Sequence, residues 1–114
     1  MYLQIFASLF FTSIAVGSTQ AAAQTIDLRL VQANNCVSCH QVEQKRIGPA
    51  FRLIAERFAG QPDAADYLAA AIRSGGRGRW GAVPMPAQPQ VSPQDAQAIA
   101  AWILSLENKG KATP

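Results

Sequence analysis

The chain has 114 residues, a length that suggests one domain, and 49% of them are apolar, which excludes a disordered or low-complexity protein. Ten Lys and Arg against seven Asp and Glu give a formal charge of +3 with the single His neutral. So few bases argue against a nucleic-acid binder, which needs a concentrated basic face.

Residues 1–23 carry no charged side chain. Leu3 to Val16 is mostly apolar, and Ser18-Thr19-Gln20-Ala21-Ala22-Ala23 follows, small residues ending in an A-x-A pattern. This is the form of a secretory signal peptide cut after Ala23, although no Lys or Arg precedes the apolar stretch. The competing reading is an uncleaved membrane anchor, against which the apolar run is shorter than the ~20 residues of a spanning helix. The expected domain is therefore 24–114, and it holds every Lys, Arg, Asp and Glu of the chain. A domain this small has a thin core and often needs a staple. Its expected location is the periplasm, with a membrane-anchored form as the alternative.

The first predicted helix runs from Ile26 to Asn34, on the spacings Leu28/Val31 and Leu30/Ala33. Asn34 and Asn35 weaken it just ahead of Cys36-Val37-Ser38-Cys39-His40. A C-x-x-C-H run reads as a c-type haem attachment site. Two thiols three positions apart in a helical turn point to one side and can each bond one vinyl group of a porphyrin, and the next residue brings an imidazole to the iron. Three other readings compete. A zinc knuckle wants four Cys or His ligands, and this chain offers only Cys36, Cys39 and His40. A thioredoxin-like redox pair belongs near a strand–helix–strand pattern, which is not evident here. A plain disulfide has no need of the histidine.

Gly48-Pro49 is a predicted turn, since Pro has no N–H to give a helix. Phe51, Ile54, Ala55 and Phe58 then mark an amphipathic helix ended by Gly60. Pro62 sits where a first helical position is expected, with Asp63 and Asp66 suited to the helix N-terminus and Tyr67, Leu68, Ala71 and Ile72 on the apolar side. Ser74-Gly75-Gly76 closes that helix. Residues 75–90 are Gly- and Pro-rich without a period, and loops this long in a small domain are usually functional. Ser92-Pro93-Gln94-Asp95 opens the last helix, with Ala96, Ile99, Ile103 and Leu106 as its apolar stripe and Trp102 beside it. Lys109-Gly110-Lys111 is a basic exit. The total is four helices, no strand and no internal repeat.

Within the irregular stretch stands Pro84-Met85-Pro86. A haem iron held by His on one face has a second axial position, and His with Met is the pair of electron-transferring cytochromes. Past residue 23 the chain has one His, His40, and one Met, Met85. On the haem reading Met85 is the natural second ligand, on a loop stiffened by its prolines. The other reading is a Met filling a gap in the core.

Taken together, Cys36-Val37-Ser38-Cys39-His40, Gly48-Pro49-Ala50-Phe51, Gly78-Arg79-Trp80-Gly81-Ala82-Val83-Pro84-Met85-Pro86, and Val91-Ser92 leading to Ile103-Leu104-Ser105-Leu106 resemble a class I c-type cytochrome, most of all the small bacterial cytochrome c-551 group. The resemblance spans nearly all of residues 26–108. It implies an all-α class I cytochrome c fold with crossing N- and C-terminal helices. It also implies one haem c per chain, thioether-linked through Cys36 and Cys39, with its iron between His40 and Met85. By position it implies that the Pro49 carbonyl accepts a hydrogen bond from the ring of His40, which would fix that ring's tautomer and orientation. Trp80 matches a tryptophan whose indole N–H reaches a haem propionate; the alternative is a core aromatic. Gln88 stands near a family Asn beside the Met sulfur, on a loop one residue longer than the commonest form. Arg77 and Arg79 replace residues that are often uncharged, and read either as propionate partners or as solvated surface groups.

The expected function is that of a soluble, monomeric one-electron carrier between exported redox proteins. With both axial positions filled, no site is left for a substrate, so an enzyme is not expected. Phe51, Ile54, Phe58, Ile99 and Ile103 are expected to wall the haem. Lys45, Arg46, Arg77 and Arg79 are expected to form a basic rim for donor and acceptor proteins with acidic docking patches, giving rates that fall with salt. Two alternatives are a haem c subunit held within an oxidoreductase complex and a ligand-binding haem sensor with Met85 off the iron.

Overall fold

The computed structural model describes residues 28–109. The signal-peptide reading of residues 1–23, the helix start at Ile26 and the end of the basic exit at Lys111 lie outside the described residues. Helix α1 covers residues 28–33 of that range. It ends at the two asparagines: the backbone N and side-chain Nδ2 of Asn34 both donate to Leu30 O, at 3.1 and 2.9 Å. Asn35 takes φ 58°, a left-handed conformation that Asn tolerates better than most residues. This reversal delivers the chain into a single 3-10 turn, Cys36–Ser38.

Helix α2 (Phe51–Phe58) buries Phe51, Ile54 and Ala55, and half-buries Phe58. Gly60, at φ +70°, ends the stretch as expected. Helix α3 is Ala64–Ser74, so it begins two residues later than the sequence suggests. Pro62 and Asp63 instead form a turn closed by Ala64 N to Gln61 O at 3.3 Å. Asp63, with φ −99° and ψ 14°, is the residue before the helix and makes no side-chain cap bond. Helix α4 (Pro93–Ser105) starts as its sequence dictates, with Ser92 Oγ accepting from Asp95 N at 3.0 Å and Pro93 in the first position. A 3-10 turn, Leu106–Asn108, finishes it.

The predicted stripe of α4 is the floor of the core: Ala96, Ile99, Ala100, Trp102 and Ile103 are buried, with Leu106 beyond the helix end. It packs against both α2 and α3. Val31 of α1 belongs to the same buried cluster, so the first and last helices meet in one core. Among the described residues there is no strand, only two isolated antiparallel bridges, His40 with Lys45 and Gly76 with Met85. Arg52 of α2 ties the ends together. It grips both carboxylate oxygens of Glu43 at 2.5 and 2.7 Å, and its Nη1 donates to the carbonyls of Leu106 and Lys109. The segment after His40 and the end of α4 are thus fastened to one guanidinium.

Candidate functional site

The 3-10 turn winds Cys36 to His40 tightly: His40 N donates to Cys36 O at 2.9 Å, and Cys39 N to the same oxygen at 3.2 Å. Cys36, Cys39 and His40 consequently line one cleft, whose empty volume is about 1240 Å³ with its open mouth included. Both cysteines are free thiols. Burial pushes the Cys36 thiol above its ordinary pKa, and the neighbouring Cys39 adds to the rise. Among the described residues no group of three or more His, Cys, Asp or Glu could hold a metal ion, so the zinc-knuckle reading gains no fourth ligand.

His40 is buried, at 8% exposure. Its Nδ1 lies 2.7 Å from Pro49 O. Because a carbonyl can only accept, Nδ1 carries the proton and Nε2 is left with its lone pair for the cleft. The Pro49 carbonyl is aimed by its neighbours: Gly48 N donates to Cys39 O at 2.8 Å, and Arg46 N donates to Gly48 O at 3.1 Å. Gly48 stands directly against the imidazole. A Cβ there would come within 2.5 Å of Cε1 and 2.8 Å of Nδ1. Phe51 stacks on the His40 ring at 5.1 Å and 24°, and meets Trp102 edge-on at 5.3 Å and 80°. The ring is thereby coupled through aromatic contacts to the buried face of α4.

Met85 reaches the same cleft from the irregular segment. Its backbone pairs with Gly76 through two hydrogen bonds, Met85 N to Gly76 O at 2.8 Å and Gly76 N to Met85 O at 3.0 Å. Gly75, at φ +73°, lets the chain turn out of α3, and a Cβ on it would lie 2.6 Å from Met85 O. Gln88 N then donates to Ile72 O at 3.0 Å, so the segment is fastened to the end of α3 at Met85 and just after it. Phe51, Ile54, Phe58, Ile99 and Ile103 all line the cleft, as does each of Pro49, Trp80, Arg77, Arg79 and Gln88.

Trp80 is half-buried, lining the cleft and packed against the core cluster, and the Arg57 guanidinium lies 4.3 Å from its ring centroid. Arg79 lies over Tyr67 at 4.9 Å. The Gln88 amide is engaged within its own loop, donating to Pro86 O at 3.2 Å and accepting from Gln90 Nε2 at 2.8 Å. Four features had no forecast in the sequence: Gly48 as the residue under the imidazole, Arg57 on Trp80, Tyr67 in the cleft wall, and exposed Ile47 and Val83 at the cleft. Only Gly48 left a signal. If the carbonyl of residue 49 touches the ring, residue 48 passes close beneath it.

The family model for cytochrome c matches residues 29–107. Cytochrome c-552 of Nitrosomonas europaea is 51% identical over 81 residues, covering 71% of this chain and 79% of that one. The crystal structure of wild-type Nitrosomonas europaea cytochrome c552 superposes with a TM-score of 0.69 at 50% identity, over 70% of this chain and 99% of that one. The class 1 cytochrome MtoD from Sideroxydans lithotrophicus superposes with a TM-score of 0.62 at 27% identity, over 78% and 98% of the two chains. An all-helical fold, a cleft holding two thiols and an imidazole, and these likenesses have one explanation: the chain belongs to the cytochrome c family, electron-transfer proteins, not enzymes, that carry one covalently attached haem c.

Proposed function

We propose that this protein is a soluble, monomeric one-electron carrier of the periplasm, with its haem bonded to Cys36 and Cys39 and its iron held between His40 and Met85. The observation that carries the reading is the convergence of those four side chains on one cleft walled by Phe51, Ile54, Phe58, Ile99 and Ile103. The donor set fits the group: two free thiols, an imidazole whose Nδ1 is already engaged, and a thioether on a segment pinned to α3. When bound, the haem supplies the Fe(III)/Fe(II) couple. The chain's own residues do the rest.

The Pro49 carbonyl holds the His40 ring in one tautomer and makes it a better donor. A Met85 sulfur at the iron raises the potential. The apolar wall acts in the same direction, because a low-polarity surrounding disfavours the extra positive charge of the oxidised state. Trp80, at the cleft, is the candidate donor to a propionate. Among the described residues no helix is long and apolar enough to cross a membrane. The proposed export rests on the pattern of residues 1–23.

Exchange with partners uses the face around the cleft. Arg77 and Arg79 line it and are exposed, as are Ile47 at 56% and Val83 at 63%, and exposed Lys45 and Arg46 directly precede Ile47 in the chain. A docking face of this kind combines steering by charge with an apolar contact that excludes water, so partners with acidic patches associate faster at low salt. The test is to express the full chain with its export signal, purify it, and compare wild type with Met85→Ala by haem staining and optical spectra. Wild type retains haem after denaturation and, when reduced, does not bind carbon monoxide at neutral pH; Met85→Ala binds it readily. A colourless protein with two titratable thiols would end the proposal.

A further inference from the structure

The segment of residues 77–84 crosses the cleft with little to hold it. Among the described residues no backbone-to-backbone hydrogen bond involves any of residues 77–84. Its base is closed by the Gly76–Met85 pair, and within it Gly78 and Gly81 take φ +76° and +115°, with nothing within 4 Å of a Cβ on either. Two left-handed glycines flanking Arg79-Trp80, in open space, make a segment that its backbone alone does not fix.

What fixes it comes from side chains. Arg57, on α2, places its guanidinium 4.3 Å from the Trp80 ring centroid. Its Nη1 also donates to Arg79 O at 2.7 Å. One side chain thus holds the indole by its face and the preceding peptide by its carbonyl. A planar guanidinium can do both at once, because it stacks on the ring while its edge carries five N–H donors. Arg79 adds a second such contact, over Tyr67, whose ring in turn lies 5.2 Å from Phe58 beside Arg57. The ion pair of Arg52 with Glu43 involves neither arginine.

We propose that Arg57 is a positioning residue: it clasps the 77–84 strap onto α2 and fixes the Trp80 indole at the cleft. The clasp rests on the reading of this cleft as the haem cleft only for its effect on potential; the mechanical part stands on the contacts just given. Its charge, stacked on the cleft-lining Trp80, opposes the oxidised state, so its removal lowers the midpoint potential.

The test uses reduced holoprotein, labelled with ¹⁵N, as wild type, Arg57→Ala, Arg57→Gln and Arg57→Lys. In wild type the backbone order parameters of Gly78 to Gly81 are near those of rigid structure, about 0.85, and in Arg57→Ala they fall below about 0.6. The Trp80 indole N–H resonance shifts at the same time, while α3 keeps its wild-type values. Arg57→Lys, which retains a cation for the ring, recovers most of the indole shift and of the potential. If Arg57→Ala does not yield folded holoprotein, Arg57→Gln is judged by the same criteria. Order parameters and indole resonance unchanged from wild type in the neutral variant overturn the proposal. The near-infrared sulfur-to-iron band of the oxidised wild type is recorded alongside. Its absence would remove Met85 as ligand without touching the Arg57 result, so the two failures are distinguishable.

Discussion

Replacing Gly48 by Ala tests how the imidazole is held. The added Cβ would lie 2.5 Å from Cε1, 2.8 Å from Nδ1 and 3.0 Å from Nε2 of His40. Carbon atoms pack best at ~3.5 Å or beyond, so the ring must retreat by about 1 Å. It has little room to retreat, because Nδ1 is bound to Pro49 O at 2.7 Å and Phe51 is stacked on the ring face at 5.1 Å. Backbone strain contributes nothing, since Gly48 is not among the positive-φ glycines. Overpacking costs about 1–3 kcal/mol and a displaced hydrogen bond about 0.5–1.5 kcal/mol, offset by about 0.4–1 kcal/mol from a less flexible unfolded chain. The expected net loss is about 0.5–4 kcal/mol. Guanidinium unfolding followed by haem absorbance measures it, and the His40 Nδ1–H resonance reports whether the ring has moved. A variant within about 0.5 kcal/mol of wild type, the scatter of an ordinary surface change, and with an unmoved resonance would refute the argument.

Ser92→Ala removes the side chain that accepts from Asp95 N and should cost about 1 kcal/mol, read as a lower denaturation midpoint with unchanged slope and an unchanged optical spectrum. The Arg52 guanidinium holds the Glu43 carboxyl below its ordinary pKa of 4.5, chiefly by hydrogen bonding. The folded form therefore binds that proton less readily than the unfolded one, so the contribution is present above the ordinary value and is lost as pH falls through the lowered one. Melting curves should show wild type and Glu43→Gln converging on acidification past 4.5, and a gap independent of pH would exclude the linkage.

The helices were legible because each announces itself locally. The α4 stripe needs only a 3.6-residue period and a Ser-Pro start, and both are realised. The C-x-x-C-H turn was equally plain, since its spacing is its chemistry. Where the reading slipped, a longer-range condition decided. Pro62 fits a first helical position, but the chain uses it in a turn and starts α3 two residues later. Arg57 sits on the polar side of an amphipathic helix, a position that reads as solvated surface. Its contact with Trp80 joins residues 23 apart through the folding of an aperiodic segment, and no periodicity encodes that. Tyr67 reads as part of the apolar side of α3, but only Leu68 and Ile72 of that side join the core, while Tyr67 lies at the cleft and is 41% exposed.

The paired hydrogen bonds between Gly76 and Met85 separate two jobs that one segment performs. They anchor the methionine backbone where the excursion begins and ends, next to α3, so the sulfur's location does not depend on what lies farther out. Ala82 and Val83, at the outer end, are exposed. Substitutions or a one-residue change of length there can reshape the face offered to other proteins while Met85 stays in register. The docking face and the placement of Met85 can thus vary independently of one another.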